Sequence, residues 1–158
     1  MPKIDISAVP RRDGSAYPPP HDQEVAGRSS QRLGEAGGIT QFGANLVHLE
    51  PGAKSSIRHW HERQDEFAMV TSGRLTLVDD HGQTPLSVGD CLAFPAGDAN
   101  GHQNVNLSDA PGSFLIIGTG TDTEVGWYPD HDLKVTADAD GVRYTRRDGT
   151  PFDGEGGS

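Results

Sequence analysis

The chain has 158 residues, a length typical of a single domain, and its formal net charge of −10 argues against a nucleic-acid partner, because such binding requires Lys and Arg to neutralise phosphates. Only 33% of the residues are hydrophobic, and the 21 glycines and 11 prolines favour short strands joined by tight turns. No apolar run approaches the roughly 20 residues of a membrane span, and the first residues lack the apolar core of a signal peptide, so we expect a cytoplasmic protein with no membrane partner.

The N-terminal segment, residues 1–37, is predicted to be an irregular arm. It contains Tyr-Pro-Pro-Pro at 17–20, several Gly and Ser residues, and no sustained hydrophobic periodicity. A segment of this composition offers no apolar face that would pack it as a regular element.

From about Gly43 the sequence changes to short apolar runs separated by turn residues, a pattern typical of a β-sandwich or barrel. Strands are predicted at 45–49, 55–61, 66–70, 74–78, 91–94, 102–106 and 114–118. Turn sequences such as Glu50-Pro51-Gly52 and Pro95-Ala96-Gly97 separate them, and no long helix is indicated. We therefore predict an all-β domain over residues 38–135.

The C-terminal region contains shorter and weaker signals. Three short patches beyond Asp122 are candidate edge strands, and the polar end GEGGS is expected to fray. Residues 136–158 are accordingly predicted to form a C-terminal extension whose last part is disordered.

Two histidines at alternate positions, His59 and His61, begin the candidate site. On a strand their side chains project to the same side, about 6.6 Å apart along the chain. Glu66 starts the next apolar run, where strand parity turns it inward and turns Asp65 outward. Imidazole nitrogens with one carboxylate suit first-row divalent metals better than magnesium or calcium. The two histidines alone also fit an exposed polar strand face. Whether they are metal ligands therefore depends on the rest of the sequence pattern.

Two longer segments resemble the two consensus motifs of the cupin superfamily: GAKSSIRHWHERQDEFAMVTSG at 52–73 and GDCLAFPAGDANGHQNVN at 89–106. The places of the first motif are filled by Gly52, His59, His61, Glu66 and Gly73. Those of the second are filled by Gly89, Pro95, Gly97, His102 and Asn106. Four residues separate Gly97 from His102, where the motif usually has two.

The resemblance covers roughly residues 41–119 and implies a jelly-roll barrel, or double-stranded β-helix. It implies that His59, His61, Glu66 and His102 hold one divalent transition metal, Fe, Mn, Ni or Zn, on the inner face. The segments LGEAGGITQFGANLVHLEPG and WYPDHDL are also similar to a bacterial subgroup of small cupins, which implies a dimer.

Two functions of different classes fit such a site. Four protein ligands on an octahedral ion leave two positions for a small oxygenated substrate or for O₂, which favours an enzyme of dioxygenase-type cleavage or of sugar or keto isomerisation. Glu66 would then be a ligand throughout or also a catalytic base. The alternative is a non-catalytic module that binds a small ligand through the metal. An inward-facing acid, base or arginine near the metal would favour the enzyme, but the sequence indicates only Gln41, Asn45 and Asn104.

The other reactive side chains are expected to have structural or solvent-exposed roles. His48 is expected on the outer face of its strand, and His21, His81 and His131 in solvent. Arg58 and Trp60 are expected to face away from the metal. Cys91 is expected to be a small buried filler, because nothing beside it in sequence lowers its pKa.

A homodimer is expected from the architecture. An open jelly-roll has sheet edges that must be covered, and the arm before Gly38 is long enough to lie across a neighbour.

Overall fold

The computed structural model describes residues 3–152 and consists mainly of antiparallel β-strands. The strands are β1 Arg12–Asp13, β2 Arg28–Arg32, β3 Phe42–Leu49, β4 Trp60–His61, β5 Glu66–Ser72, β6 Leu75–Asp79, β7 Gly82–Leu86, β8 Cys91–Phe94, β9 Gln103–Val105, β10 Gly112–Thr119, β11 Glu124–Tyr128, β12 Leu133–Asp138 and β13 Gly141–Thr145. One short α-helix, α1, spans Leu33–Ala36, and 3₁₀ turns span Ile6–Ala8 and His21–Val25. The all-β prediction is confirmed.

The largest sheet has six strands in the order β1-β2-β3-β10-β5-β8. Its centre is formed by β10, which pairs antiparallel with β3 on one side and with β5 on the other. Alternate residues of these strands face one core, which includes Val47, Leu49, Ala68, Val70 and Phe114. Phe67, next to Ala68, is 42% exposed, as the period-two alternation requires.

Two smaller sheets have the orders β13-β12-β11-β4 and β7-β6-β9. The predicted strand 55–61 passes from one of these sheets to the other, since His59 pairs with His102 next to β9 whereas Trp60 and His61 pair with β11. Only Trp60 and His61 therefore form a regular strand, although the whole segment was predicted to be one. Strand β7 was not predicted, because Gly82–Leu86 has only one apolar residue besides Pro85.

The segment before Gly38 is more regular than the sequence indicates. Strand β2 pairs with β3 over five residues, from Arg28 opposite Leu49 to Arg32 opposite Asn45. Its sequence, RSSQR, has no apolar alternation, so backbone hydrogen bonds to β3 hold it in place and sequence patterning could not reveal it. This part of the segment packs on its own chain.

A second core joins both ends of the chain. Ile57, Tyr128 and Leu133 are buried there, with Tyr17 and Tyr144 packed against them. The three predicted C-terminal patches correspond to β11, β12 and β13, and β12 continues past residue 135, the predicted end of the barrel. The end predicted to fray, GEGGS at 154–158, lies outside the described residues.

No helix within residues 3–152 is long and apolar enough to cross a membrane.

Candidate metal centre

Four side chains from three parts of the chain converge on one point. The Nε2 atoms of His102, His61 and His59 lie 3.0, 3.6 and 3.9 Å from Oε2 of Glu66. Candidate ligand atoms of His59, His61 and Glu66 lie within 4.8 Å of one another. The structure thus brings together all four residues that the sequence singled out.

Backbone pairing determines this convergence. His59 and His102 exchange both backbone hydrogen bonds, at 3.1 and 2.9 Å, which places their side chains on the same face. His61 follows two positions later on that face, and its ring centroid lies 4.9 Å from that of His59. Glu66 begins β5 opposite Phe94 and Gly118.

The neighbouring carboxylate, Asp65, is exposed and points elsewhere. Its Oδ1 accepts the backbone N–H of Ala96 at 2.8 Å and so holds the turn after β8. The parity argument that selected Glu66 over Asp65 therefore matches the placement of both side chains.

The hydrogen bond of His59 fits a metal site, whereas Nδ1 of His61 and of His102 is buried without a partner among the described residues. His59 Nδ1 lies 2.9 Å from the backbone oxygen of Ile57, so this nitrogen carries the proton and Nε2 keeps its lone pair towards Glu66. A ligand histidine usually donates its second ring N–H to a backbone carbonyl or carboxylate in this way. The donor set, three imidazoles and one carboxylate, fits a first-row divalent ion.

Glu124, at the start of β11, lies behind His61 and was not singled out from the sequence. It is 6% exposed, and its Oε1 lies 3.7 Å from Nδ1 of His61. The carboxylate accepts backbone N–H groups of Glu62, Arg63 and Val125, which fixes its position. At 3.7 Å the pair forms no hydrogen bond, and Nδ1 of His61 has no other partner among the described residues. Only the pairing of β11 with β4, which sets Gly126 opposite His61, brings Glu124 beside this ring.

His102 is held by ring stacking. Its imidazole lies parallel to the Phe94 ring, with centroids 3.5 Å apart. The two extra residues between Gly97 and His102 are absorbed in a turn where Asn100 binds the backbone of Asp80 and the carboxylate of Asp79. The insertion therefore leaves His102 in register.

Burial controls the charge state of the cluster. It lowers the pKa of His59 to about 4, against the attraction of Glu66, so the imidazole is neutral at neutral pH. Burial also acts to raise the pKa of Glu66, but the hydrogen bond from His102 and the nearby histidines outweigh it and lower that pKa to about 2. A neutral imidazole and an ionised carboxylate are the forms that bind metals.

The cluster opens into a cavity of about 790 Å³. Its wall includes Asn45 and Asn104 as polar groups, and Oδ1 of Asn104 is buried with no hydrogen-bond partner among the described residues. Tyr17 and Tyr128 form another part of the wall, and burial raises the pKa of both phenols, which keeps them protonated.

The wall also contains a guanidinium that the sequence did not place there. Arg28, on β2, donates to the backbone oxygen of Gly14 at 2.9 Å. Its Nε is buried without a partner, and within residues 3–152 no carboxylate forms an ion pair with it. Arg12 and Arg32, which line the same cavity, both lie within 3.4 Å of Glu35. Arg28 is thus an inward-facing arginine, the feature whose presence favours an enzyme.

Several expectations for the other residues need correction. His21 is 7% exposed and contacts Glu24 and His131, so the prediction that His21 and His131 lie free in solvent was wrong. Cys91 is exposed, because β8 is an edge strand, and is not a buried filler.

Other expectations agree with the structure. His81 is exposed in its turn, and His48 binds Gln31 away from the metal-ligand cluster. Arg58 pairs with Asp130 and Asp80, and Trp60 stacks on Trp127, with ring centroids 6.2 Å apart.

Comparisons with known proteins agree with this geometry. Residues 45–118 match the cupin domain family. A crystal structure of a sugar phosphate isomerase of the cupin superfamily from Silicibacter pomeroyi is 58% identical over 96% of both chains, with a TM-score of 0.94. A proposed sugar phosphate isomerase from Acidithiobacillus ferrooxidans is 28% identical over 79% of this chain and 80% of its own, with a TM-score of 0.72. No curated protein matches the chain.

A polyketide cyclase from Streptomyces resistomycificus shares the fold alone. It is 19% identical over 75% of this chain and 79% of its own, with a TM-score of 0.60. Different chemistries therefore occur on this architecture, and the side chains of the cavity have to distinguish among them.

Proposed function

Since the chain belongs to the cupin superfamily, we propose that it is a metal-dependent enzyme that isomerises a small phosphorylated sugar between its aldose and ketose forms. The convergence of three imidazole Nε2 atoms on the Glu66 carboxylate, at the wall of a large polar cavity, carries this proposal. The similarity to the isomerase of Silicibacter pomeroyi supports the choice of reaction.

We assign metal binding to His59, His61, Glu66 and His102, with Fe, Mn, Ni or Zn as the candidate ions. A divalent ion bound there would supply Lewis-acid polarisation of the substrate's oxygen atoms. Glu66 is ionised at neutral pH, which both of its proposed roles require: to hold the ion and to accept the proton from C2. We also assign Glu124 a positioning role, because its Oε1 lies 3.7 Å from Nδ1 of His61 and would accept the proton of this nitrogen when Nε2 binds the ion.

The reaction itself moves one proton from C2 to C1 and one from O2 to O1, so it needs no external oxidant. The unpaired Oδ1 of Asn104 is available to accept a hydrogen bond from a sugar hydroxyl. The protonated phenol of Tyr17 lines the same wall and can donate one, whereas the phenol of Tyr128 hydrogen-bonds to its tyrosine neighbours. The cavity wall therefore offers both donors and acceptors to a polyhydroxylated substrate.

Arg28 is the proposed phosphate ligand. A guanidinium can bind a phosphate through two parallel hydrogen bonds, and its attraction is strongest where no carboxylate neutralises it. Arg28 meets this condition, whereas the guanidinium groups of Arg12 and Arg32 share Glu35. The burial that lowers the pKa of Arg28 also means that an anion bound there is shielded from water.

The isomerase proposal is tested with metal-loaded protein and a panel of aldose and ketose phosphates in D₂O. We expect the opposite isomer to form with deuterium incorporated at carbon, as followed by ¹H NMR. Oxygen uptake with cleaved products would instead indicate a dioxygenase. Binding by calorimetry without isotope exchange would indicate the non-catalytic module. Either result would contradict the isomerase.

Replacing Arg28 with Gln is expected to raise KM for a phosphorylated substrate by about 10- to 150-fold, because a hydrogen-bonded charged contact contributes about 1.5–3 kcal/mol. Arg12→Gln is the matched control, since Arg12 lines the same cavity but pairs with Glu35, and its KM should change little. Equal effects of the two substitutions, or an unchanged KM in Arg28→Gln, would remove Arg28 from the phosphate site.

We also propose a homodimer, and a cytoplasmic location stays a prediction. Strand β8 is an open edge of the six-stranded sheet, and Phe67 on the adjacent strand is 42% exposed. Light scattering at micromolar concentration should give twice the mass of the chain. A version of the chain that starts at Arg32 lacks β1 and nearly all of β2. It tests whether the N-terminal arm forms part of the dimer interface. A full-length monomer would refute the dimer, and an unchanged dimer after truncation would show that the arm is not its interface.

A further inference from the structure

A second cluster of metal-ligand side chains lies outside the proposed active site. His21 and Glu24 belong to the 3₁₀ turn His21–Val25, and His131 follows β11 in the turn to β12. Because a 3₁₀ turn repeats every three residues, His21 and Glu24 lie on the same side of it. His21 Nδ1 lies 2.7 Å from Oε1 of Glu24, and His131 Nε2 lies 3.4 Å from the same oxygen.

The donor set and its spacing are those of a zinc site. Two imidazole nitrogens and one carboxylate oxygen are common zinc ligands, and tetrahedral bonds of about 2.0–2.1 Å place ligand atoms about 3.3 Å apart. The candidate ligand atoms of His21, Glu24 and His131 lie within 4.8 Å of one another, so small side-chain rotations bring all three to bonding distance. We propose that these three residues form a second binding site for a divalent transition metal, with zinc as the preferred ion.

The burial of His21 and the close approach of the two histidine rings distinguish this cluster from a surface ion pair. The side chain of His21 is only 9% exposed, and the ring centroids of His21 and His131 lie 4.4 Å apart. Nδ1 of His21 and Nε2 of His131 both face Oε1 of Glu24, at 2.7 and 3.4 Å, so three ligand atoms already converge on one point. One divalent ion satisfies both histidines as neutral ligands and also balances Glu24.

The site has a structural consequence for the cavity. Its ligands come from the N-terminal segment and from the turn after β11, and Phe152 packs 5.4 Å from the His21 ring on the C-terminal side. Tyr17 and Tyr128, close in sequence to these ligands, pack edge to face at 5.7 Å in the cavity wall. An ion held by His21, Glu24 and His131 would thus link the N-terminal segment to the turn between β11 and β12, beside the proposed substrate site and outside it.

The test counts zinc ions by elemental analysis after saturation with zinc chloride and removal of excess ion over a weak chelating resin. We expect two ions per chain in the unaltered protein and one in Glu24→Gln and in His131→Ala. His81→Ala, an exposed histidine in a turn, should keep both. Glu24→Gln preserves the shape of the side chain and gives an answer even where His131→Ala fails to fold.

The double substitution His59→Ala with His61→Ala separates the two sites. This double variant should retain one zinc ion. The triple variant that also carries Glu24→Gln should retain none, and a chelator should then no longer lower its melting temperature. If the first site binds nothing, the unaltered protein holds one ion and Glu24→Gln holds none, and the second site still stands. The proposal would be overturned if Glu24→Gln and His131→Ala both kept the zinc count of the unaltered protein. It would also be overturned if His81→Ala lost as much zinc as these two variants.

Discussion

Replacing His59 and His61 together with alanine is expected to lower the metal content by one ion per chain and to destabilise the fold. Loss of even an outer-shell partner costs about 10- to 100-fold in metal affinity, and removal of two ligands costs more. Where the metal is well above its Kd, each 100-fold loss of affinity removes about 2.7 kcal/mol of stability, which for a chain of this size lowers Tm by about 5–11 °C.

Elemental analysis and thermal unfolding, each with and without a chelator, measure this effect. The chelator separates the loss of the ion from the loss of packing: it should lower the Tm of the unaltered protein more than that of the double variant. His81→Ala is the control, because His81 is exposed and distant in register from the cluster. His102→Ala should behave as the double variant does. An unchanged ion count in the double variant would refute the assignment of the first site.

The second large effect is expected from Glu66→Gln, which should abolish turnover and weaken metal binding at least about 100-fold, beyond the cost of losing an outer-shell partner. The neutral amide keeps the size of the side chain but removes the negative charge, and a neutral amide oxygen is a poorer ligand and a poorer proton acceptor than a carboxylate. Oε2 of Glu66 lies within 3.9 Å of all three histidines. No other carboxylate within residues 3–152 forms an ion pair with all three, so none can take its place.

Asp65→Asn is the matched control for Glu66→Gln. Asp65 is adjacent in sequence, is exposed, and accepts a hydrogen bond from the Ala96 N–H that the asparagine oxygen can also accept. Metal titration of the two variants side by side should show near-normal binding in Asp65→Asn. Loss of metal there with retention in Glu66→Gln would mean that the wrong carboxylate was assigned.

The two proposed metal sites differ in what surrounds them. The first opens into the cavity that Arg28 and Asn104 line. The second lies at the turn after β11, where Phe152 packs against His21. Removal of the first should therefore stop turnover directly. Removal of the second should act mainly on stability, because His21, Glu24 and His131 do not line the cavity.

The sequence alone was sufficient where the signal is local. Strand β5 was predicted from an apolar run in which Phe67 and Met69 left open a strand buried on both faces, and the structure buries Ala68 and Val70 while Phe67 is exposed. His59, His61 and Glu66 lie within eight consecutive positions, and His102 occurs in a motif with recognisable spacing. The shared side of His59 and His61 follows from the period of two. His102 joins them only because it pairs with His59, and Glu66 only because β5 lies between β10 and β8 in the largest sheet.

Tertiary structure alone decided the residues whose partners are distant in sequence. Arg28 lies in a polar strand with no apolar alternation, and it reaches the cavity only because β2 pairs with β3. Glu124 is recognisable only from the pairing of β11 with β4, and the pairing of His21 with His131 depends on both ends of the chain meeting across the second core. Spacing along the chain cannot encode such contacts, because they arise from backbone pairing and packing between segments that share no local pattern.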